Sequence, residues 1–279
     1  MFTFTGADGL DVHVHHWPAR GRTRGLVQIA HGMGEHAGRY AALAAALTRR
    51  GYDVYANDHR GHGQTMKGEP GRLGPDGWNL LVADMVVLTE RLRTRHPDLP
   101  VVLVGHSMGS FAAQQYLLDH GDLLDGAVLS GTAALDGLIR VIGDGGDRLA
   151  FYNAPFRPGR TDYDWLSRDE AEVDEYIADP RCGFALDADG LRDMYASAGR
   201  LADPAPVPPG LPLYVMVGDR DPLNAGLGLS DLLVGRYRNA GLTDITYRVY
   251  PGARHELLHE TNREEAQADL VSWIARVLG

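Results

Sequence analysis

Two short stretches hold residue types at spacings that do chemistry. Gly105-His106-Ser107-Met108-Gly109 sets a serine between glycines two residues away on either side. A serine in that pattern sits on a tight turn between a strand and a helix, its oxygen pushed into a cleft while the glycines let neighbouring backbone pass. The helix N-terminus beneath it favours a developing negative charge. The second stretch, His255-Glu256-Leu257-Leu258-His259, reads H-E-x-x-H. On a helix that spacing puts two imidazoles on one face, where they can hold zinc with the glutamate as base. One stretch implies attack by a side-chain oxygen, the other attack by metal-activated water.

Letter frequencies favour the zinc pattern. The composition gives about 0.1 accidental serine patterns and about 0.02 accidental zinc patterns. Context does decide. The serine follows the apolar run Val101-Val102-Leu103-Val104 and precedes the helical "SFAAQQYLLDHG". His255 instead follows a strand and the turn "PGA", which puts it in a loop or a first helical turn. No further histidine follows as a third zinc ligand, leaving only Glu260 or Glu264.

A serine nucleophile needs a base, and the base needs an orienting carboxylate. In parallel α/β sheets that carry this serine turn the chain order is Ser, then Asp or Glu, then His. After Ser107 the strand in "LPLYVMVGDRD" ends at two candidates, Asp219 and Asp221, and the next strand ends just before His255. Alone, His255 would read as a solvated loop histidine; with the other two it reads as the general base, and His259 as its neighbour on the cleft side or surface. "HGMG" at 31–34 ends an earlier strand. Such a loop offers a backbone N–H to an oxyanion, here that of Met33, with the N–H of Met108 as second donor.

The elements that must hold these groups follow from periodicity. Residues 2–5 and 10–17 alternate around "GADG" as a hairpin. Apolar runs at "GLVQIAHGMG", "YDVYANDHRGHG", "PVVLVGHSMG", "LDGAVLSG", "LPLYVMVGDRD" and "ITYRVYPGARH" read as strands. Helical stretches separate several of them, including 78–95, with Leu81, Met85, Leu88 and Leu92 at helical spacing, and 263–278 closes the chain. Strands alternating with helices mean a mostly parallel sheet, whose functional groups collect at the strands' carboxyl ends. The rhythm breaks over 133–205. Residues 151–205 hold twelve acids against six arginines, a net charge of −6, with aromatic side chains that include Phe151, Tyr152, Phe156, Trp165, Tyr176, Phe184 and Tyr195. This reads as a mainly helical cap lying over the strand ends, inserted into a core formed by 1–132 and 206–279.

The 279 residues, 44% hydrophobic and 23% charged, suit a soluble globular protein. A net charge of −10 without a basic run argues against a nucleic-acid partner. A single cysteine, Cys182, excludes an internal disulfide and reads as a small buried apolar residue. No basic-then-apolar leader opens the chain and no apolar run reaches the ~18 residues of a membrane span, so a cytoplasmic location is expected.

"HGMGEHAGRY", "NDHRGHGQT", "GHSMGS", "GDRDP" and "YPGARHE" resemble the monoacylglycerol lipase and lysophospholipase-like branch of the α/β-hydrolase fold, the serine aminopeptidase-like hydrolases. The resemblance covers nearly the whole chain and is looser in the insertion. It implies a triad of Ser107, Asp221 and His255, selecting Asp221 over Asp219, with oxyanion donors at Met33 and Met108. It puts Glu35 and Arg39 near a glycerol-binding pocket, beside the alternative of a local salt bridge at a helix start, and adds His106 to the substrate-binding residues. It implies cleavage of monoester lipids through an acyl-enzyme without metal or organic cofactor. Separately, apolar residues of the cap could give transient membrane contact, beside the alternative that its aromatics simply pack the cap onto the core. A lysophospholipase or short-chain carboxylesterase would use the same triad. A non-catalytic ligand-binding scaffold would be expected to lack a triad member, and none is missing.

Overall fold

The structure, a computed structural model, describes residues 1–143 and 148–279; residues 144–147 of the expected cap lie outside the described residues. In chain order the elements are β1 (Phe2–Thr5), β2 (Asp11–Trp17), β3 (Gly25–Ala30), α1 (Ala41–Thr48), β4 (Tyr52–Asn57), α2 (Gly77–Arg95), β5 (Val101–His106), α3 (Met108–His120), β6 (Gly126–Ser130), α4 (Leu135–Ile142), α5 (Arg148–Asn153), α6 (Glu170–Ala178), α7 (Ala188–Ala196), α8 (Ala198–Leu201), β7 (Leu213–Gly218), α9 (Gly228–Asn239), β8 (Ile245–Tyr250) and α10 (Arg263–Leu278).

The eight strands form one sheet in the order β1-β2-β4-β3-β5-β6-β7-β8. The hairpin strands β1 and β2 run antiparallel to their neighbours. From β4 across to β8 every pairing is parallel. β3, β4, β5, β6 and β7 are buried throughout, which is why they read as unbroken apolar runs rather than alternating ones. This is the mostly parallel, helix-flanked sheet of the α/β-hydrolase fold. α1 and α10 cover one face with Leu43, Leu47, Leu270, Trp273 and Ile274. α2, α3 and α9 cover the other, with all four leucine and methionine positions of the α2 pattern buried. Between β6 and β7 the chain leaves the sheet for α4 to α8.

Buried polar contacts fix the helices on the sheet. On β3, Gln28 donates to the carbonyl of Met85 (2.9 Å) and accepts from Thr89 Oγ1 (2.8 Å), docking α2 on the strand that leads to "HGMG". Trp78 Nε1 donates to Gln115 Oε1 (2.7 Å), pinning α2 to α3. No helix among the described residues is long and apolar enough to cross a membrane. Trp78→Phe keeps the aromatic bulk but leaves the buried Gln115 oxygen without its donor. Denaturant unfolding should show a loss of about 1–3 kcal/mol; unchanged stability would mean that the pin contributes nothing.

Candidate active site

The turn at Ser107 is forced by close backbone approach. Ser107 lies at φ 52°, ψ −120°, a conformation that costs a non-glycine residue about 1–3 kcal/mol. A Cβ on Gly109 would lie 2.2 Å from the carbonyl oxygen of Ala30. One on Gly105 would lie 2.5 Å from that of Gly109. Both glycines of the pattern are therefore sterically required: α3 begins against the end of β3. Ser107 stands at the N-terminus of the 13-residue α3, and its own N–H donates to Ser130 on β6 (3.0 Å).

β7 and β8 bring up the other two groups. His255 Nδ1 donates to Asp221 Oδ2 (2.9 Å), and both residues are buried. The second oxygen of Asp221 accepts from Leu223 N (2.9 Å), which fixes the carboxylate by capping the turn at 222–224. Asp219, the other candidate, instead accepts from Gly252 N (2.7 Å) and so shapes the turn after β8. With Nδ1 donating to Asp221, His255 Nε2 is left as the acceptor, and it has no hydrogen-bond partner among the described residues. Burial opposes a charge on His255, but Asp221 outweighs it and holds its pKa above the ordinary value. The neighbouring His106 ring lies 4.9 Å from that of His255. Burial, and then repulsion from His255, push His106 down to about 4, so it is neutral near pH 7.

Ser107, His255, Met33, Met108, Glu35 and His106 line one cavity of about 210 Å³ with largely apolar walls. The N–H groups of Met33 and Met108 find no acceptor among the described residues. Arg39 does not reach the wall. It bonds Glu35 (2.8 Å) and forks onto both oxygens of Glu256 (2.6 and 2.8 Å). Glu35 in turn accepts from Gly32 N (2.5 Å) and Tyr40 OH (2.8 Å). Burial raises the cost of charge on Glu35 and Glu256, yet Arg39 holds both below the usual carboxylate range. The helix-start salt bridge is thus real, and it extends further: it ties the Met33 loop to the residue after His255.

The H-E-x-x-H stretch is not one helical face. His255 lies in a loop, and only Leu257–His259 makes a single 3-10 turn. His259 Nε2 donates to the carbonyl of Arg39 (3.1 Å), while Glu256 is held by Arg39. Glu260 accepts from the backbone of Arg254 and Arg168 and from the Arg168 guanidinium (2.8, 3.1 and 2.9 Å). These residues fold the loop and do not converge as a ligand set. Cys182 is half-buried rather than enclosed, and desolvation pushes its thiol up to about 12.

Residues of the insertion that no motif singled out also pack against the site. Tyr176 OH and Gly183 N both donate to the carbonyl of Gly34 (2.8 and 2.9 Å), fastening the Met33 loop. Glu256 N donates to Leu166 O (2.8 Å), and the Trp165 ring lies 4.9 Å from that of His255. No periodicity links these positions to the sheet, so sequence patterning carried no signal for them.

A raised histidine pKa has a definite sign. The stability contributed by the Asp221–His255 pair is complete below the ordinary histidine value and is lost as pH rises through the His255 value, above which the free base exists. NMR titration should put His255 above about 6.5, and Asp221→Asn should lower it. A wild-type value at or below 6.5 would contradict this electrostatic account.

Known proteins resemble this chain in sequence and in fold. The serine aminopeptidase S33 family matches residues 21–262. A monoacylglycerol lipase of Mycolicibacterium smegmatis is 32% identical, covering 98% of this chain and 95% of its own. A monoglyceride lipase of Mus musculus is 31% identical, covering 91% of this chain and 82% of its own. Among solved structures, a highly thermostable carboxyl esterase from Bacillus coagulans in complex with glycerol has a TM-score of 0.85 and 28% identity, over 100% of this chain and 98% of that one. By sequence along most of its length and by fold throughout, the chain belongs to the serine aminopeptidase S33 family of α/β-hydrolases.

Proposed function

We propose that this protein is a serine carboxylic ester hydrolase of the monoacylglycerol lipase type, cleaving monoester lipids through an acyl-enzyme. The observation that carries the reading is the Asp221–His255 hydrogen bond at 2.9 Å, with His255 Nε2 unpartnered on the wall of the cavity that Ser107 also lines. His255 takes the Ser107 proton as the oxygen attacks the ester carbonyl. The N–H groups of Met33 and Met108 hold the oxyanion. The alcohol leaves with the proton from His255, and water, activated by the same base, releases the acid. Asp221 keeps the imidazole in the required tautomer.

Glu35 and His106 border the bound head group, and Arg39 acts from behind by fixing Glu35. The insertion at 133–205 acts as the cap that encloses the acyl part. Val141 and Ile177, 45% and 47% exposed on that insertion, give it a transient contact with lipid surfaces. The relatives named as monoacylglycerol and monoglyceride lipases support the substrate class.

Monoacylglycerol hydrolysis should exceed di- and triacylglycerol hydrolysis at equal acyl-chain length by about tenfold or more. Ser107→Ala should lower kcat by about 10⁴-fold or more. Equal rates on mono- and triacylglycerol would sink the monoester reading. Full activity in Ser107→Ala would sink the mechanism.

A further inference from the structure

Three buried polar atoms on the cavity wall lack a partner among the described residues: His255 Nε2, Trp165 Nε1 and Arg148 Nε. The ester-cleaving chemistry uses the first. The other two are both hydrogen-bond donors, and both belong to the insertion. Arg148 opens α5 and is half-buried. Unlike Arg39, it has no carboxylate within ion-pair range among the described residues; the contact its guanidinium makes is with the face of Tyr195, 5.3 Å from the ring centroid. The Trp165 ring packs 4.6 Å from that of Tyr152, which lines the same wall. The other charged groups bordering the cavity are already balanced: Glu35 and Glu256 by Arg39, and His255 by Asp221.

A buried guanidinium Nε–H and a buried indole N–H, on residues that line an apolar cavity, are costly to keep without acceptors. Guanidinium matches carboxylate and phosphate oxygens in particular, because its planar fork can bond two of them together. We infer that Arg148, through its buried and unpartnered Nε edge and assisted by Trp165 Nε1, is a specificity determinant that binds an anionic oxygen group of the substrate, apart from the ester being cleaved. The inference rests on the ester-hydrolase reading above. Two substrate designs carry such a group: an acyl chain ending in a carboxylate, as in the half-esters of dicarboxylic acids, or an alcohol bearing a phosphate, as in a monoacylglycerol phosphate.

The test compares kcat/KM for three glycerol monoesters of equal acyl length: neutral, ω-carboxylate and phosphate-bearing. It is run on the wild type, Arg148→Gln and Arg148→Lys. In Arg148→Gln the ratio of anionic to neutral kcat/KM should fall at least tenfold, mainly through KM, with partial recovery in Arg148→Lys. The substrate whose ratio falls identifies the source of the anion. A ratio unchanged for both anionic substrates overturns the inference. Direct binding to Ser107→Ala separates this from failure of the hydrolase reading. If the wild type cleaves no ester but Ser107→Ala binds the anionic ester at least tenfold more tightly than Ser107→Ala/Arg148→Gln does, the Arg148 site stands and the hydrolase reading falls. Equal binding by those two proteins overturns the Arg148 site.

Discussion

The architecture of the site depends on one steric constraint, the contact between the start of α3 and the end of β3. Only glycine at 109 lets the helix backbone pass the carbonyl of Ala30, since a Cβ would sit 2.2 Å from it. That contact does three things at once. It holds Ser107 in a conformation that an isolated peptide would abandon. It aims the N-terminus of α3 at the space in front of the serine. It brings the loop carrying Met33 and the start of α3 at Met108 to the wall of one cavity. The strain is local, and the burial of β5 and α3 on both sides of the turn offsets it.

The second organising feature is how buried charge is handled. Glu35, Arg39 and Glu256 form one connected set that joins the Met33 loop to the His255 loop. Glu260 organises the His255 loop from the other side, and the insertion fastens both loops through Tyr176, Gly183 and Leu166. A buried carboxylate without such partners would take up a proton or unfold the loop around it. Balanced in this way, the charges tie the two loops together and leave His255 Nε2 without a partner among the described residues. Catalytic geometry of this kind requires positions held to within about half an ångström.

Much of this was legible from residue order. The strands of the parallel sheet announce themselves because both faces are covered, so their apolar runs are uninterrupted. Ser107, the Asp219/Asp221 pair and His255 stand out because the chemistry demands types, order and strand-end positions together. Spacing alone could not choose between the two aspartates. Asp221 caps a turn that points its carboxylate at His255, whereas Asp219 is spent on Gly252. The H-E-x-x-H letters needed context for a related reason: a zinc geometry requires a continuous helix, and residues 255–259 form a loop with one 3-10 turn. Trp165, Tyr176 and Arg148 were not legible, because nothing in an irregular helical insertion states which residue meets a loop some 140 positions away. Cys182, expected to be buried, proved half-buried because it lies in the turn after α6 rather than under a helix.

The central claim is that Ser107 is an activated nucleophile and that no metal does its work. The most direct test is intact-protein mass after treatment with a fluorophosphonate probe in the presence of a metal chelator, followed by peptide mapping. The account predicts one stoichiometric adduct, on Ser107. A folded protein that forms no adduct, or forms it on another residue, would contradict it.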